Sequence, residues 1–554
     1  MRTTAGVCRR GVCVLLVATG FVSLPSAYGV TIEIDTASEL DMIGKSAPYP
    51  LDGYYVLTTD LDASSSELWH DGAGLDPIGN YDAADPSKAF TGTFDGQGHT
   101  ISNLFINRPA ETSVGLFGCV RGAGQVTGVR LKWASITGSQ YVGGLVGRNE
   151  GTVRDCMVKG CTISADWYVG GVVGRNSGTI DECYATSEVT GTASFVGGIA
   201  GRNYGTIEQS SATGVITGND GVGGLTGSNS GTIDETFAAC RVIGGAGTVL
   251  GGLCGSNGGT ITDSFWNKDT SLVTTSAGGT GLSMKEMRTS APYVAAGWDL
   301  ATWGIVEGDS HPYLLAQTTI YEISSIYDLQ LFGVIYPLDG DFVLTQDIDA
   351  SITGTWDGGK GFNPIGGKTA EMSERFTGRF YGQGHVVNGL VINRPVDDNV
   401  GLFRCLSGGS EVVHLGLEDC TVTVGTAVGA FTSFVDSTGT LFGCHATGAV
   451  TGASGTSSYI GSLIANNWGT VCDSYANCST VENGNYGGGL TSQNYGIILR
   501  CHAGGSIDGD YPGAGSPSGG LGGENYAEGI ISACYATTTV NGTAHVGGLV
   551  GHNL

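Results

Sequence analysis

Residues 142–153 read VGGLVGRNEGTV, and the phrase returns at 169–180 (VGGVVGRNSGTI), 196–207 (VGGIAGRNYGTI), 222–233 (VGGLTGSNSGTI) and 250–261 (LGGLCGSNGGTI). Successive starts lie 27, 27, 26 and 28 residues apart. A fixed period in this range marks a solenoid or a propeller, and propeller blades need ~40 residues or more, so the period selects a solenoid. Each unit reads as three short strands: Val-Gly-Gly-Leu-Val, then Thr-Ile through Cys183-Tyr-Ala-Thr186, then Val189-Thr190 ending at Gly191. The Asn-x-Gly between the first two supplies residues that tolerate positive φ. Three strands with three corners predict an all-β fold, a parallel β-helix (β-solenoid) of triangular section with ~27-residue coils. At a rise of ~4.8 Å per coil, the chain would make on the order of 19 coils and a rod of ~90 Å. Glycine supplies 97 of 554 residues, and each costs a helix interior ~1 kcal/mol, so helices are few.

Equivalent positions on successive coils stack. Val153, Ile180, Ile207, Ile233 and Ile261 form one predicted buried column. Cys156, Cys183, Ser210, Thr236 and Ser264 form another, continued by Cys444, Ser474, Cys501 and Cys534. A position that accepts Cys, Ser and Thr wants a small side chain, so these thiols read as buried fillers. A ladder of disulfides, such as Cys156 with Cys183, is the alternative that coil spacing permits. Asn149, Asn176, Asn203, Asn229 and Asn257 form a third column, read as a turn-stabilising amide ladder rather than a ligand stripe.

The chain contains two copies of one larger unit. FTGTFDGQGHTISNLFINRP at 90–109 is matched by FTGRFYGQGHVVNGLVINRP at 376–395, 286 residues later, and YPLDGYYVLTTDLDAS at 49–64 by YPLDGDFVLTQDIDAS at 336–351. The predicted division is 1–29 leader, 30–141 cap and β-rich segment, 142–265 repeats, 266–316 irregular closing segment, 317–427 second cap and β-rich segment, and 428–554 second set of repeats. Thr36-x-x-Glu39, Ser325-x-x-Asp328 and Ser283-x-x-Glu286 predict short helices, the first two plugging open solenoid ends. The chain stops at Gly551-His-Asn-Leu554, inside a unit, which leads us to expect an incomplete chain or an open last coil.

Lys+Arg is 25 and Asp+Glu is 51, a net charge of −26. A field of that sign excludes nucleic acid and anionic lipid as partners drawn by net charge. Arg2, Arg9 and Arg10, the apolar Val12–Leu24 and the small residues around Ala27-Tyr28-Gly29 predict a cleaved signal peptide. No later run reaches the ~18 unbroken apolar residues of a membrane span. The expected location is therefore secreted or extracellular cell surface. Cys8 and Cys13 leave with the leader, and thirteen cysteines remain, too sparse for a disulfide scaffold.

The Gly-Gly-Leu-Val-Gly core followed by Asn-x-Gly-Thr-Ile resembles the GLUG motif of bacterial surface proteins, well over 142–265 and more loosely over 428–554. The resemblance implies a surface or adhesin-like repeat protein and carries no activity of its own. Asp95-Gly-Gln-Gly-His99 resembles the turn that opens coils in pectate-lyase-like β-helices; copy two has Tyr381 in place of Asp95, which favours a structural turn. There is no His-Glu-x-x-His, no nucleophile elbow, and Gly361–Thr369 lacks the first glycine of a phosphate loop. Asp60 and Asp62, with Asp347 and Asp349, alternate on a strand; two carboxylates fall short of the roughly six to eight oxygens Ca²⁺ takes, so they read as solvated acids. No catalytic, cofactor or metal residue is assigned. The expected function is an exported non-catalytic solenoid for adhesion, binding or spacing, with an extracellular glycan or a surface protein as partner. Tyr141, Trp167, Tyr204, Trp468, Tyr486 and Tyr495 are the candidate sugar-stacking rings, with packing between coils as their other reading. The alternatives are a β-helix polysaccharide lyase or glycoside hydrolase, and a passive stalk.

Overall fold

The computed structural model describes residues 30–554 apart from 246, 368–371, 453–458, 482–485, 510–516 and 543–544; the predicted leader lies outside the described residues. Residues 31–282 wind into one parallel β-solenoid and 320–553 into a second, about 16 turns in all. Repeats pair in register: Thr152 beside Thr179, Thr206, Thr232 and Thr260. Val153, Ile180, Ile207 and Ile233 are fully buried. The count falls below 19 because the opening coils are long: Val56 pairs with Asp95 and Val343 with Tyr381, 39 and 38 residues on. Each long coil holds a 3₁₀ excursion, Ser64–Gly72 or Ser351–Gly359, and 283–316 leaves the helical path.

The first repeat has the expected three strands, Gln140–Gly143, Val146–Arg154 and Met157–Ala165, whereas the later repeats of copy one have four stretches. In the second repeat they are Trp167–Gly170, Val173–Asn176, Thr179–Asp181 and Tyr184–Gly191. The first expected strand breaks at Gly171, where a Cβ would lie 2.0 Å from the Gly198 carbonyl oxygen of the next coil. The second breaks at Glu182, which takes φ +50°. Asp155, Gln209, Glu235 and Asp263 hold the same left-handed corner in their coils, a conformation uncommon outside glycine. The next residue secures the corner. The Ser210 hydroxyl accepts from the Cys183 N–H at 3.0 Å, and Ser264 from Thr236 N–H at 3.2 Å. The side chains of Cys156, Cys183, Ser210 and Ser264 each also donate to the carbonyl two residues earlier, which suits the column to small side chains with a hydroxyl or thiol. All thirteen described cysteines are free thiols, eleven of them buried.

The asparagine column forms as read. Each Nδ2 donates to the next Oδ1 at 2.8 Å from Asn149 through Asn176, Asn203 and Asn229 to Asn257. Asn467, Asn494, Asn525 and Asn553 repeat it in copy two. The predicted caps are present. Helix Ala37–Met42 follows Thr36, whose N–H donates to Glu39, and helix Ile326–Gln330 follows Ser325, bonded in the same way to Asp328. Leu40 and Leu329 cover the first coils. Ile530, Tyr535, Val546 and Leu549 of the last coil are exposed.

The two rods lie side by side, not end to end. Among the described residues no sheet runs from one into the other, and each has its own core. Lys132 meets Asp339 (2.5 Å), Glu188 meets Ser437, and Asp269 meets Arg500 (3.2 Å). Both partners in this series advance along the chain, so the rods point the same way. The closing segment is the wedge between them. Its helix Ala291–Ala296 and its antiparallel pair Trp303–Gly304 with Tyr313–Leu314 pack Tyr293, Trp298 and Trp303 onto Phe237 and Phe265 of copy one. On its other side, Met284 covers Tyr381, Val413, Phe442 and Cys472 of copy two.

Candidate functional site

The carboxylates singled out in the sequence are turn fasteners. Asp60 accepts from Thr100 N–H (2.8 Å) and lies 3.2 Å from His99 Nδ1; Asp347 repeats this with Val386 N–H (3.1 Å) and His385 (3.0 Å). Asp62 and Asp349 accept from the N–H of Ser64 and Ser351. No group of three or more His, Cys, Asp or Glu among the described residues is arranged to hold a metal ion. Asp95 accepts from the N–H of Gln97 at 3.0 Å, and Gln97 has φ +49°. Copy two lacks this acid, and the wedge replaces it: the Gln383 N–H donates to Asp309 Oδ2 at 2.7 Å. The Asp309 Oδ1 lies 2.7 Å from His414 Nδ1. Tyr381, standing where Asp95 stands in copy one, is fully buried beneath the wedge.

A cleft of about 260 Å³ opens between the rods, lined by Arg130, Lys132, Lys159 and Arg379 and by Asp339, Asp341 and Glu411. Single-sequence reading missed it because its walls come from residues some 180 to 280 apart. Its charges are largely matched. Asp341 takes a two-pronged pair with Arg379. Burial alone would raise the Asp339 carboxyl, but Lys159 and Lys132 hold it below the ordinary value. Burial likewise opposes ionisation of Glu411, yet Arg288, His311 and Arg379 hold it well below the usual carboxylate range. A general acid needs the opposite displacement, toward working pH. Burial pushes the Lys159 ammonium down to about 8.

The candidate aromatic residues lie on the outer faces, at corners. Tyr141, Tyr168 and Phe195 stack at 4.8 and 5.5 Å, and all three have positive φ. Trp468, Tyr495 and Tyr526 stack at 4.1 and 3.9 Å, and Tyr459 on Tyr486 at 5.1 Å. A further ladder absent from the sequence reading runs His445, Tyr475, His502, Tyr535. Interior ring faces are thus filled by neighbouring rings, leaving edges and end faces outward. Trp167, Tyr204 and Trp468 are 40, 40 and 41% exposed. Beside the Tyr141 stack runs a column the sequence reading did not separate from the motif: Arg148, Arg175 and Arg202 in register. The Arg148 guanidinium sits 3.7 Å from the Tyr141 ring centre and 4.0 Å from Tyr81; Arg175 and Arg202 sit 4.9 and 4.6 Å from Tyr204.

Stacked, in-register coils with amide and aromatic ladders define a duplicated parallel β-solenoid. The model of the GLUG motif matches two of its repeats, residues 138–164 and 165–190. The chain is 42% identical over 147 residues to halomucin of Haloquadratum walsbyi, which is 26% of this chain and 2% of that protein. It is 34% identical over 124 residues to a "Putative Gly-rich membrane protein" of Evansella cellulosilytica, 22% of this chain and 13% of that one. It therefore spans a small part of either relative's length. A solved "putative immunoglobulin A1 protease" from Bacteroides ovatus aligns with a TM-score of 0.41 at 19% identity, over 51% of this chain and 92% of that chain. No helix among the described residues is long and apolar enough to cross a membrane.

Proposed function

We propose that this chain is an exported cell-surface protein whose paired solenoids form a rigid, non-catalytic platform that binds extracellular glycans or proteins. The observation that carries the reading is the set of ring ladders along the outer corners, which display aromatic edges and hydroxyls at a fixed rise on a scaffold whose coils are tied by amide bonds. Aromatic residues with one polar end suit interfaces that are part apolar and part wet. The leader read in the sequence and the names of the two relatives, a halomucin and a membrane protein, support a place at the cell envelope. The rival reading, a lyase or hydrolase, would need carboxyls roughly 5–9.5 Å apart with one protonated. In the cleft, Asp339 and Glu411 are held ionised, which supports binding over hydrolysis.

The test is retention of the full chain on arrayed glycans and on cells, alongside a depolymerase assay. Trp468→Ala with Tyr495→Ala is expected to reduce retention with the fold intact by circular dichroism. Retention on no surface would leave a passive spacer, and release of reducing ends would establish the enzyme.

A further inference from the structure

We propose that Arg148, Arg175 and Arg202 form a binding site for an acidic polysaccharide, its carboxylate or sulfate groups taken one per coil along the rod axis. The proposal rests on the binding reading above and names the ligand class for one face. Three observations carry it. First, the three side chains have no ion pair among the described residues, although the chain holds 51 acids against 25 basic residues. Arg121, Arg130, Arg154, Arg379 and Arg500 each close on a carboxylate. Glu150, two residues from Arg148, pairs with Arg121 instead. Second, the three stand in register on neighbouring coils. Strand spacing puts like charges about 4.8 Å apart at their roots, an arrangement that repels unless something anionic lies across it. The next positions of the column are Ser228 and Ser256, so the charge ends where the aromatic stack ends, at Phe195.

Third, the guanidinium groups are prepared to bind rather than left loose. Rings of Tyr81, Tyr141 and Tyr204 hold them in place, and the Arg148 Nε donates to Ser113 at 3.0 Å. The Nε atoms of Arg175 and Arg202 are buried without a hydrogen-bond partner. A planar guanidinium gives two parallel hydrogen bonds to a carboxylate or sulfate. The rise of one coil is close to the length of one sugar ring in an extended chain, so an acidic glycan places its charges at the spacing of the column. Nucleic acid is disfavoured, because the remaining surface is strongly acidic and repels a dense polyanion.

The full chain is titrated with polygalacturonate (carboxylate), dextran sulfate (sulfate), neutral dextran and poly-dT. One of the two acidic glycans is expected to bind, and which one identifies the anion; neutral dextran and poly-dT are expected to bind at least about tenfold more weakly, and raised salt to weaken the acidic complex. Arg148→Gln/Arg175→Gln/Arg202→Gln is expected to lose about tenfold or more in affinity, and Arg175→Gln alone about threefold, which keeps the test open if the triple variant fails to fold. Lys285→Gln, on the exposed wedge, is expected to change nothing. Equal binding by the arginine variants, or equal binding of poly-dT, overturns the assignment while leaving a binding platform. Failure of the parent chain to bind either acidic glycan overturns it too, and only retention on other glycans or cells would then preserve the broader reading.

Discussion

Asn203 occupies the middle of a buried amide ladder. It accepts from Asn176, donates to Asn229, and also donates to the carbonyls of Gly205 and Thr232. Asn203→Ala removes all of these and leaves buried partners unmatched, at a cost of about 2–4 kcal/mol. Asn257→Ala, on the partly exposed last rung, removes one ladder bond and is expected to cost about 1 kcal/mol. Urea unfolding of the two variants checks the order. Asp181 behaves oppositely. Burial pushes its carboxyl up from 3.8 to about 6 against the pull of Arg154, and its Oδ1 has no hydrogen-bond partner. A raised carboxyl pKa favours the folded state most below 3.8, and that advantage is lost as pH rises through 6. Asp181→Asn is therefore expected to stabilise by about 1–2 kcal/mol at pH 7 and by nothing near pH 3.5, read from melting temperatures at both. The asparagine column was legible because its residue type never changes across five coils. The left-handed corner at Glu182 was not, because Asp, Glu and Gln share the position and none of them marks positive φ as glycine does.

At the scale of elements, the segment 283–316 is the piece that sequence patterning described least. It has no repeat, and its order comes from both neighbours: Tyr293 and Trp298 on copy one, Met284, Arg288 and Asp309 on copy two. A trace of it is nevertheless in the sequence once the copies are compared column by column. Asp95, Thr127, Arg154, Asp181 and Glu208 line the outer side of one face in copy one, whereas Tyr381, Val413, Phe442, Cys472 and Leu499 line it in copy two. An apolar outer column in one copy alone says that this face is covered. The exchange of Asp95 for Tyr381 is then a change of supplier, since the wedge brings Asp309 to the same turn. Asp309→Ala removes a buried carboxylate that holds the Gln383 N–H and the His414 ring and is expected to cost about 2–4 kcal/mol. Asp95→Ala, at the solvent-facing equivalent, is expected to cost under about 1 kcal/mol. Amide exchange at 382–386 against 96–100 reads the difference: protection falls sharply in the first case and little in the second.

At the scale of the whole molecule, the coil period gave no information on how the copies sit, because a 27-residue repeat continues equally well in one rod or two. What decides for two is the chemistry between them. Lys132 meets Asp339 and Asp269 meets Arg500 from rod to rod, while Arg379 with Asp341 inside copy two and Arg288 of the wedge with Glu411 line the cleft. Paired charges of this kind fix alignment more than they add stability. Lys159 is the weak member. It faces Asp339, Asp341, Lys132 and Arg379, makes one long contact (3.5 Å) to the Asp339 carbonyl, and burial lowers its ammonium to about 8 from 10.5. A lysine whose pKa is depressed on docking favours the docked state fully above 10.5. That advantage is lost as pH falls through 8, because below it the rods must hold a buried charge. That displacement corresponds to about 3 kcal/mol against docking at neutral pH. Lys159→Met fills the same space without the charge, so it is expected to tighten docking by about 2–3 kcal/mol at pH 7 and to do little at pH 10.5. Amide exchange over 339–343 and 157–159, followed from pH 7 upward after correction for intrinsic exchange, measures it: opening of this interface slows with pH in the parent chain and stays level in the variant. A parent and variant that respond alike would mean that Lys159 keeps its full charge and reaches solvent between the rods.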